Sequence, residues 1–325
     1  MRLISISRPA KYLAFPESIC FLIDSKKNTR SGRLALKIYR PRFQSPSKRG
    51  LYWFINLFEL KGAMKNRGTE TFHWWDFHHD WKPHSGEVIE EITLTIYVNG
   101  VDFVSMMGTP LNQDWLAVGF LMNEGIIEDL EEIKDLRVTT DGCCIDVWLN
   151  RDVDLPQKMV LTSGCGGGLT QEDPRPGMEP LPFGISAEPD LILEAFTHLQ
   201  TKDSLYAKSR GVHAAGLLEL ETGHLLQVAE DIGRHNAIDK LHGACLMQSI
   251  KMEGRALITT GRISSEMLRK GAYMKCPIIA SRTSPTSAAV DLARTWQITL
   301  VGYARYGKLR VYCNPERLGF KPKMD

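Results

Sequence analysis

From residue 188 onward, short apolar runs alternate with amphipathic ones, and no other feature constrains the fold as tightly. "PDLILEAFTHLQ" reads as a helix. "GVHAAGLLEL" and "HLLQVAED" read as a hairpin about Thr222-Gly223. "RHNAIDKLHGACLMQ" is helical, with Ile238, Leu241 and Cys245 at i, i+3 and i+7. "RALITT" is a short buried strand, "SSEMLRKGAYM" a helix, and "CPIIAS" a strand. "PTSAAVDLARTW" is a helix, with Ser284 as its expected cap and Pro285 at its first position. "ITLVGYA" and "KLRVYC" close the chain as strands. Strands and helices interleaved in this way imply an α/β fold, a mixed sheet with helices on both faces.

A smaller β-rich lobe is expected ahead of it, over 86–168. "EEITLTIYVNGVDFVSMM" alternates apolar and polar residues around Asn99-Gly100, a strong hairpin signal. "NQDWLAVGFLMNEGII" reads as a helix capped by Asn112 and stopped at Gly125, with Trp115, Val118 and Leu121–Met122 on one face. "KDLRVTT" and "CCIDVWLN" are expected strands, the second beginning at Cys143. Neighbouring strand residues point to opposite faces, so Cys143 and Cys144 are read as small buried residues rather than a ligand pair. Residues 169–187 hold four prolines and read as a linker to the 188–325 domain.

Residues 1–85 differ in kind. Over 1–84 there are 16 Lys and Arg against 6 Asp and Glu, while the whole chain is only +2. A poorly ordered basic extension is expected, and Met64 offers an alternative start. His73, His78, His79 and His84 in "HWWDFHHDWKPH" form a candidate metal set. The plainer reading is an extension with incidental aromatics. The near-neutral total gives no reason to expect a nucleic-acid partner. No run approaches the 18 or so apolar residues of a membrane span. The seven cysteines follow no disulfide or paired zinc-site spacing, so reduced thiols in the cytoplasm are expected.

Two kinds of loop carry chemistry. Cys165 lies in "LTSGCGGG", among Gly164, Gly166, Gly167 and Gly168. Such a backbone can turn several N–H groups toward an anion, which favours thiolate, and leaves room for a bulky reactant. The residues alone leave two readings, a reactive thiol or a phosphate-cradling loop with an incidental cysteine. No Gly-Lys-Ser/Thr follows, so it is not a Walker A loop. The loops "AEDIGRHNAID", "TTGRISSE" and "ASRTSPTS" each run from a strand into a helix. They carry Asp231, Arg234 and His235, then Arg262, Ser264 and Ser265, then Arg282, Thr283 and Ser284. In a largely parallel sheet they share one edge, where guanidinium groups and helix N-termini suit an anionic ligand such as a nucleotide. Between the last two strands, Tyr303, Arg305, Tyr306, Gly307 and Lys308 could stack a base and hold phosphate, or form an ordinary basic hairpin tip.

The set "NEGII", "TSGCGG", "GVHAAGLL", "EDIGRHNAIDKLHG", "TTGRISSEMLRKGA", "SRTSPTSAAVDLAR" and "LVGYARYGKLRVY" resembles the formate dehydrogenase accessory protein family, FdhD, across roughly 86–325. The resemblance implies a cytidine-deaminase-like fold, a homodimer, and a sulfurtransferase that works through a persulfide. A cysteine desulfurase would load sulfur onto Cys165. The acceptor would be the molybdenum of bis-molybdopterin guanine dinucleotide, bound as client by Tyr303, Ala304, Arg305, Tyr306, Gly307 and Lys308, for use by formate dehydrogenase. No permanent cofactor and no resident metal are implied. The chain departs from the common Cys-Gly-x-Cys pattern, because Gly168 stands at the fourth position. Two rivals remain. One is a chaperone that delivers the cofactor without sulfur chemistry. The other is a zinc deaminase built on His213 and Cys276, which would lack its catalytic Glu because Ala215 stands there.

Overall fold

Alternation of period two and turns with positive φ set the strands of this chain. The computed structural model describes residues 22–24, 37–39, 68–155, 159–161 and 178–321. Two units divide the chain, Met1–Leu57 and Phe58–Asp325. In the first, β1 (Leu22–Asp24) and β2 (Lys37–Tyr39) pair antiparallel. The second begins with an antiparallel hairpin of β3 (Thr69–His78) and β4 (Asp80–Ile89). Within the basic extension, residues 69–78 and 80–85 are thus strand, with His79 at positive φ between them. Trp74 lies over Gly86 and against the His84 ring, while Trp75, Phe77 and Trp81 are exposed. His73 and His84 fall on opposite faces, since His84 pairs with Trp74, one residue beyond His73.

The next sheet has the order β7-β8-β5-β6-β9. It contains β5 (Ile92–Val98), β6 (Val101–Gly108), β7 (Ile133–Val138), β8 (Cys144–Leu149) and β9 (Met159–Leu161). Asn99 and Gly100, at φ 49° and 78°, make the tight turn between β5 and β6 that the sequence predicts. Helix α1 (Gln113–Asn123) packs on the apolar face formed by Leu94, Ile96, Val104, Ile145 and Val147. Asn112 stands at its N-cap position with left-handed φ, and its side chain makes no cap hydrogen bond. The helix is buried almost all round from Leu116 to Asn123 instead of along one face, because a second helix covers its other side.

Helices α2 (Pro189–His198) and α3 (Leu205–Ser209) precede the larger sheet, which has the order β11-β10-β12-β13-β14-β15. Its strands are β10 (His213–Leu218), β11 (Leu225–Asp231), β12 (Ala256–Thr259), β13 (Ile278–Ser281), β14 (Thr299–Arg305) and β15 (Lys308–Cys313). β12, β13 and β14 pair in parallel. β10 runs against both β11 and β12, so β11 shares their direction. One face packs against α4 (Arg234–Met247), α5 (Ser265–Tyr273) and α6 (Ser287–Thr295) through Leu217, Leu257, Ile279 and Leu300. The other meets Ile192, Phe196 and Leu199 from α2 and its end. The mixed sheet with helices on both faces is therefore present. Among the described residues no helix is long and apolar enough to cross a membrane.

The two sheets meet where α1 crosses α4. A Cβ on Gly119 would lie 1.8 Å from the Asp239 carbonyl, and one on Gly243 would lie 2.0 Å from the Trp115 carbonyl. Only glycine admits backbone contact this close. Polar groups at the crossing are buried in pairs. Lys240 Nζ lies 2.7 Å from Asp231, and Lys270 Nζ lies 2.7 Å from Asp239. Asn123 donates to Asp239 and sits 2.8 Å from His242 Nδ1.

Candidate functional site

Strands β11, β12, β13 and β14 point the same way, so the turns that follow them gather at one edge of the sheet. His213, the first residue of β10, joins them because β10 runs in the opposite direction. The three arginine loops and the final hairpin therefore do share one edge, as the alternation predicts. A cavity of about 570 Å³ opens there, within the range of ligand pockets. Leu193 and Phe196 of α2, Tyr206 of α3 and Val212 supply its apolar wall. Gln200, His213, Thr260, Arg282 and Thr283 supply polar groups, and Ala304, Arg305, Tyr306 and Gly307 close the far side.

Register explains the closing hairpin. Arg305 pairs with Lys308, which leaves Tyr306 and Gly307 as a two-residue turn at φ 55° and 68°. Tyr306 is 90% exposed, with the Arg305 guanidinium 5.8 Å from its ring centroid. Of the six residues expected at this site, Ala304 to Gly307 line the cavity and Tyr303 and Lys308 do not. Tyr303 instead anchors the loop. Its N–H donates to the Thr283 carbonyl at 3.0 Å, and the Arg310 guanidinium lies 4.4 Å from its ring centroid.

The arginine loops divide by role. Arg282 reaches the cavity, where it donates to Gln200 Oε1 at 2.9 Å and to the Phe196 carbonyl at 3.2 Å. Ser284 does not cap the helix that follows. Thr286 does, two residues later, because Pro285 is engaged in a bridge with Ile263. Arg262 is exposed outside the cavity lining, and Ser264 caps α5. Asp231 serves the fold rather than a ligand. It is fully buried on Lys240 and accepts from the N–H groups of Thr109 and Gly233. His235 Nε2 lies 3.3 Å from Glu266 and 3.4 Å from Ser264. Burial, reinforced by Lys270, Arg234, His213 and Arg262, pulls its pKa down to about 3, so it is neutral at physiological pH. Burial, then Arg234, also lowers the pKa of His213, whose Nδ1 lies 3.3 Å from Thr260 Oγ1. The edge is thus cationic through its arginines, with neutral imidazoles between them.

The deaminase arrangement is not assembled. His213 opens β10 at the cavity edge, whereas Cys276 lies just before β13, at the opposite end of the parallel strands. Cys276 is fully buried, and burial raises its thiol far above the usual range. Among the described residues no group of three His, Cys, Asp or Glu could hold a metal ion, and this includes His73, His78, His79 and His84. Cys165 lies outside the described residues. Cys143 departs from the expected strand. It belongs to the turn at Gly142, so its Sγ swings to 3.4 Å from Cys144 Sγ instead of to the opposite face. Cys144 is disulfide-bonded, which corrects the expectation of reduced thiols throughout. The α2 and α3 contributions, Phe196, Gln200 and Tyr206, escaped the sequence reading. Their only signal is a polar residue, Gln200, just past the end of an amphipathic helix.

Comparison with known proteins agrees with this architecture. A model of the FdhD/NarQ family matches residues 89–319. A sulfur carrier protein FdhD of Wolinella succinogenes is 36% identical over 241 residues, covering 72% of this chain and 83% of that protein. Its counterpart in Staphylococcus haemolyticus is 35% identical over 237 residues, covering 71% and 89%. The crystal structure of a formate dehydrogenase accessory protein from Desulfotalea psychrophila superimposes with a TM-score of 0.62 at 27% identity, covering 77% of this chain and 99% of that one. The match spans the five- and six-stranded sheets and the whole cavity edge, and on these grounds the chain belongs to the FdhD/NarQ family.

Proposed function

We propose that this protein is a sulfur carrier serving a formate dehydrogenase. Sulfane sulfur from a cysteine desulfurase is held on Cys165 as a persulfide and passed to the molybdenum of bis-molybdopterin guanine dinucleotide. That cofactor comes as substrate and leaves with its sulfur. The observation that carries the reading is the cavity, where Arg282 and Arg305 flank an apolar wall and the exposed Tyr306 ring. A dinucleotide needs these features. Guanidinium forks hold phosphate oxygens in pairs, and an aromatic face stacks a base. The apolar side chains of Leu193, Phe196 and Val212 keep water from the bound end, which strengthens the ionic contacts there. Arg282 is held ready by Gln200 and the Phe196 carbonyl, so little side-chain entropy is lost on binding. The names carried by the relatives point the same way.

The role of Cys165 follows from its sequence setting. The glycines on both sides bring no side chains of their own to crowd a sulfur, and a glycine-rich backbone can turn N–H groups toward an anion. The decisive experiment is Cys165→Ala. The variant should fold and bind a guanine nucleotide, yet fail to activate formate dehydrogenase. Full activation by Cys165→Ala would instead make the protein a cofactor-delivering chaperone.

A further inference from the structure

His213 and Thr260 both line the cavity, and the proton between them can be placed by counting donors and acceptors. The Ala214 carbonyl accepts from the Thr260 N–H at 2.9 Å and from Thr259 Oγ1 at 3.2 Å. Both of its lone pairs are then in use. Thr260 Oγ1 stands 3.5 Å from that same carbonyl, but 3.3 Å from His213 Nδ1. It also accepts from the Ala214 N–H at 3.0 Å. The hydroxyl proton of Thr260 is therefore left for Nδ1.

This assignment fixes the imidazole. A neutral ring carries one proton, and where Nδ1 accepts, Nε2 must hold it. The ring is neutral near pH 7, because burial and then the Arg234 cation lower its pKa, with Asp231 opposing. Nε2 takes no hydrogen-bond partner among the described residues, and it is not one of their buried orphaned atoms. It is thus an open N–H donor on a cavity wall that also holds Val212 and Arg282. Backbone holds the ring there, since His213 pairs with Asp231 in the ladder between β10 and β11.

We propose that His213 is a binding residue that donates its Nε2–H to an oxygen of the bound nucleotide, and that Thr260 is the positioning residue that locks its tautomer. The inference rests on the nucleotide-binding reading above. An arginine attracts an anion in many orientations, whereas one uncharged donor in a fixed ring requires an oxygen at one place. His213 therefore contributes orientation rather than charge. A guanine nucleotide offers two kinds of oxygen, the carbonyl of the base and those of the phosphates. Adenine carries an amino group where guanine has its carbonyl, so a donor there would face a donor.

The test combines calorimetry with guanosine and adenosine diphosphates and nitrogen-15 NMR of the wild-type ring. Free protein at neutral pH should show Nε2 protonated and Nδ1 bare, and the Nε2–H resonance should move when guanosine diphosphate is added. His213→Phe should weaken guanosine diphosphate roughly fivefold or more, the scale of one net hydrogen bond. His213→Gln, which carries an N–H of similar reach, should restore most of that loss. If the base carbonyl is the acceptor, His213→Phe spares adenosine diphosphate. If a phosphate oxygen is, both nucleotides weaken alike. A wild-type chain that binds neither nucleotide removes the nucleotide reading and this proposal with it. Normal binding with an unchanged Kd in His213→Phe, equal losses in the Phe and Gln variants, or a proton found on Nδ1 overturns the role of His213 alone. The NMR measurement needs no variant, so the outcome does not depend on how well His213→Phe folds.

Discussion

Replacing Lys240 with methionine should destabilise the fold by about 3 kcal/mol, the lower end of the cost of breaking a buried ion pair. Lys240 and Asp231 are both fully buried, with Nζ 2.7 Å from Oδ2. At an effective dielectric of about 20, charges at that separation attract by roughly 6 kcal/mol. Lost hydration, several kcal/mol for each ion, offsets most of it. The pair as a whole therefore contributes little, but half of it is costly, because Asp231 then keeps its desolvation penalty without its cation. N–H groups from Thr109, Gly233 and Asn236 still reach the carboxylate, which places the cost at the low end. In a unit of this size that amounts to a drop in Tm of roughly 6–12 °C. Urea unfolding followed by tryptophan fluorescence measures it. The double variant Lys240→Met with Asp231→Asn should be more stable than Lys240→Met alone, since no charge is left buried. A loss below about 1 kcal/mol, the scale of an exposed pair, would refute the reasoning. So would a double variant that costs the full sum of the singles.

Arg282→Ala should weaken binding of guanosine diphosphate by roughly 10- to 100-fold, the scale of a hydrogen bond to a charged group. Calorimetry reads this directly, and an unchanged Kd would remove Arg282 from the site. His235 should show no titration between pH 5 and 8 by NMR, because its pKa is pulled down to about 3. The unfolded chain takes up that proton near the ordinary value of about 6.5. Stability from this group is therefore complete above about 6.5 and declines as pH falls toward about 3. A His235 resonance that shifts between pH 6 and 7 would contradict its enclosure among cations.

Where sequence reading succeeded, local chemistry decided the outcome. Asn99-Gly100 takes a turn that few other residue pairs adopt, and Gly223 supplies the positive φ in the longer loop between β10 and β11. The gathering of Arg234, Arg262, Arg282 and Arg305 at one edge followed from strand direction alone. It failed where long-range packing set the environment. Asp239, Lys240 and His242 look like the solvent face of α4, yet all three are buried, because α1 lies across them. No pattern within α4 reports a helix more than a hundred residues earlier, except in retrospect the small Gly119 and Gly243. Asp231 looks like a ligand-loop residue for the same reason, since Lys240 meets it only after β11 and α4 have docked. Gln200, just past the end of α2, and Tyr206 of α3 reach the cavity from segments whose sequences resemble ordinary cover for a sheet. At Cys143 the strand boundary falls one residue later than the pattern predicts, enough to turn a divergent pair into adjoining sulfurs.

The glycine crossing of α1 and α4 has a mechanical consequence. With the two main chains interlocked at Gly119 and Gly243, neither helix can slide or roll against the other without a collision of carbonyls. The cavity edge and the cysteine-bearing sheet are therefore geared to a common axle. A strain applied to one is transmitted to the other as rotation of the whole body. Hydrogen exchange in the two sheets should accordingly rise together rather than one after the other.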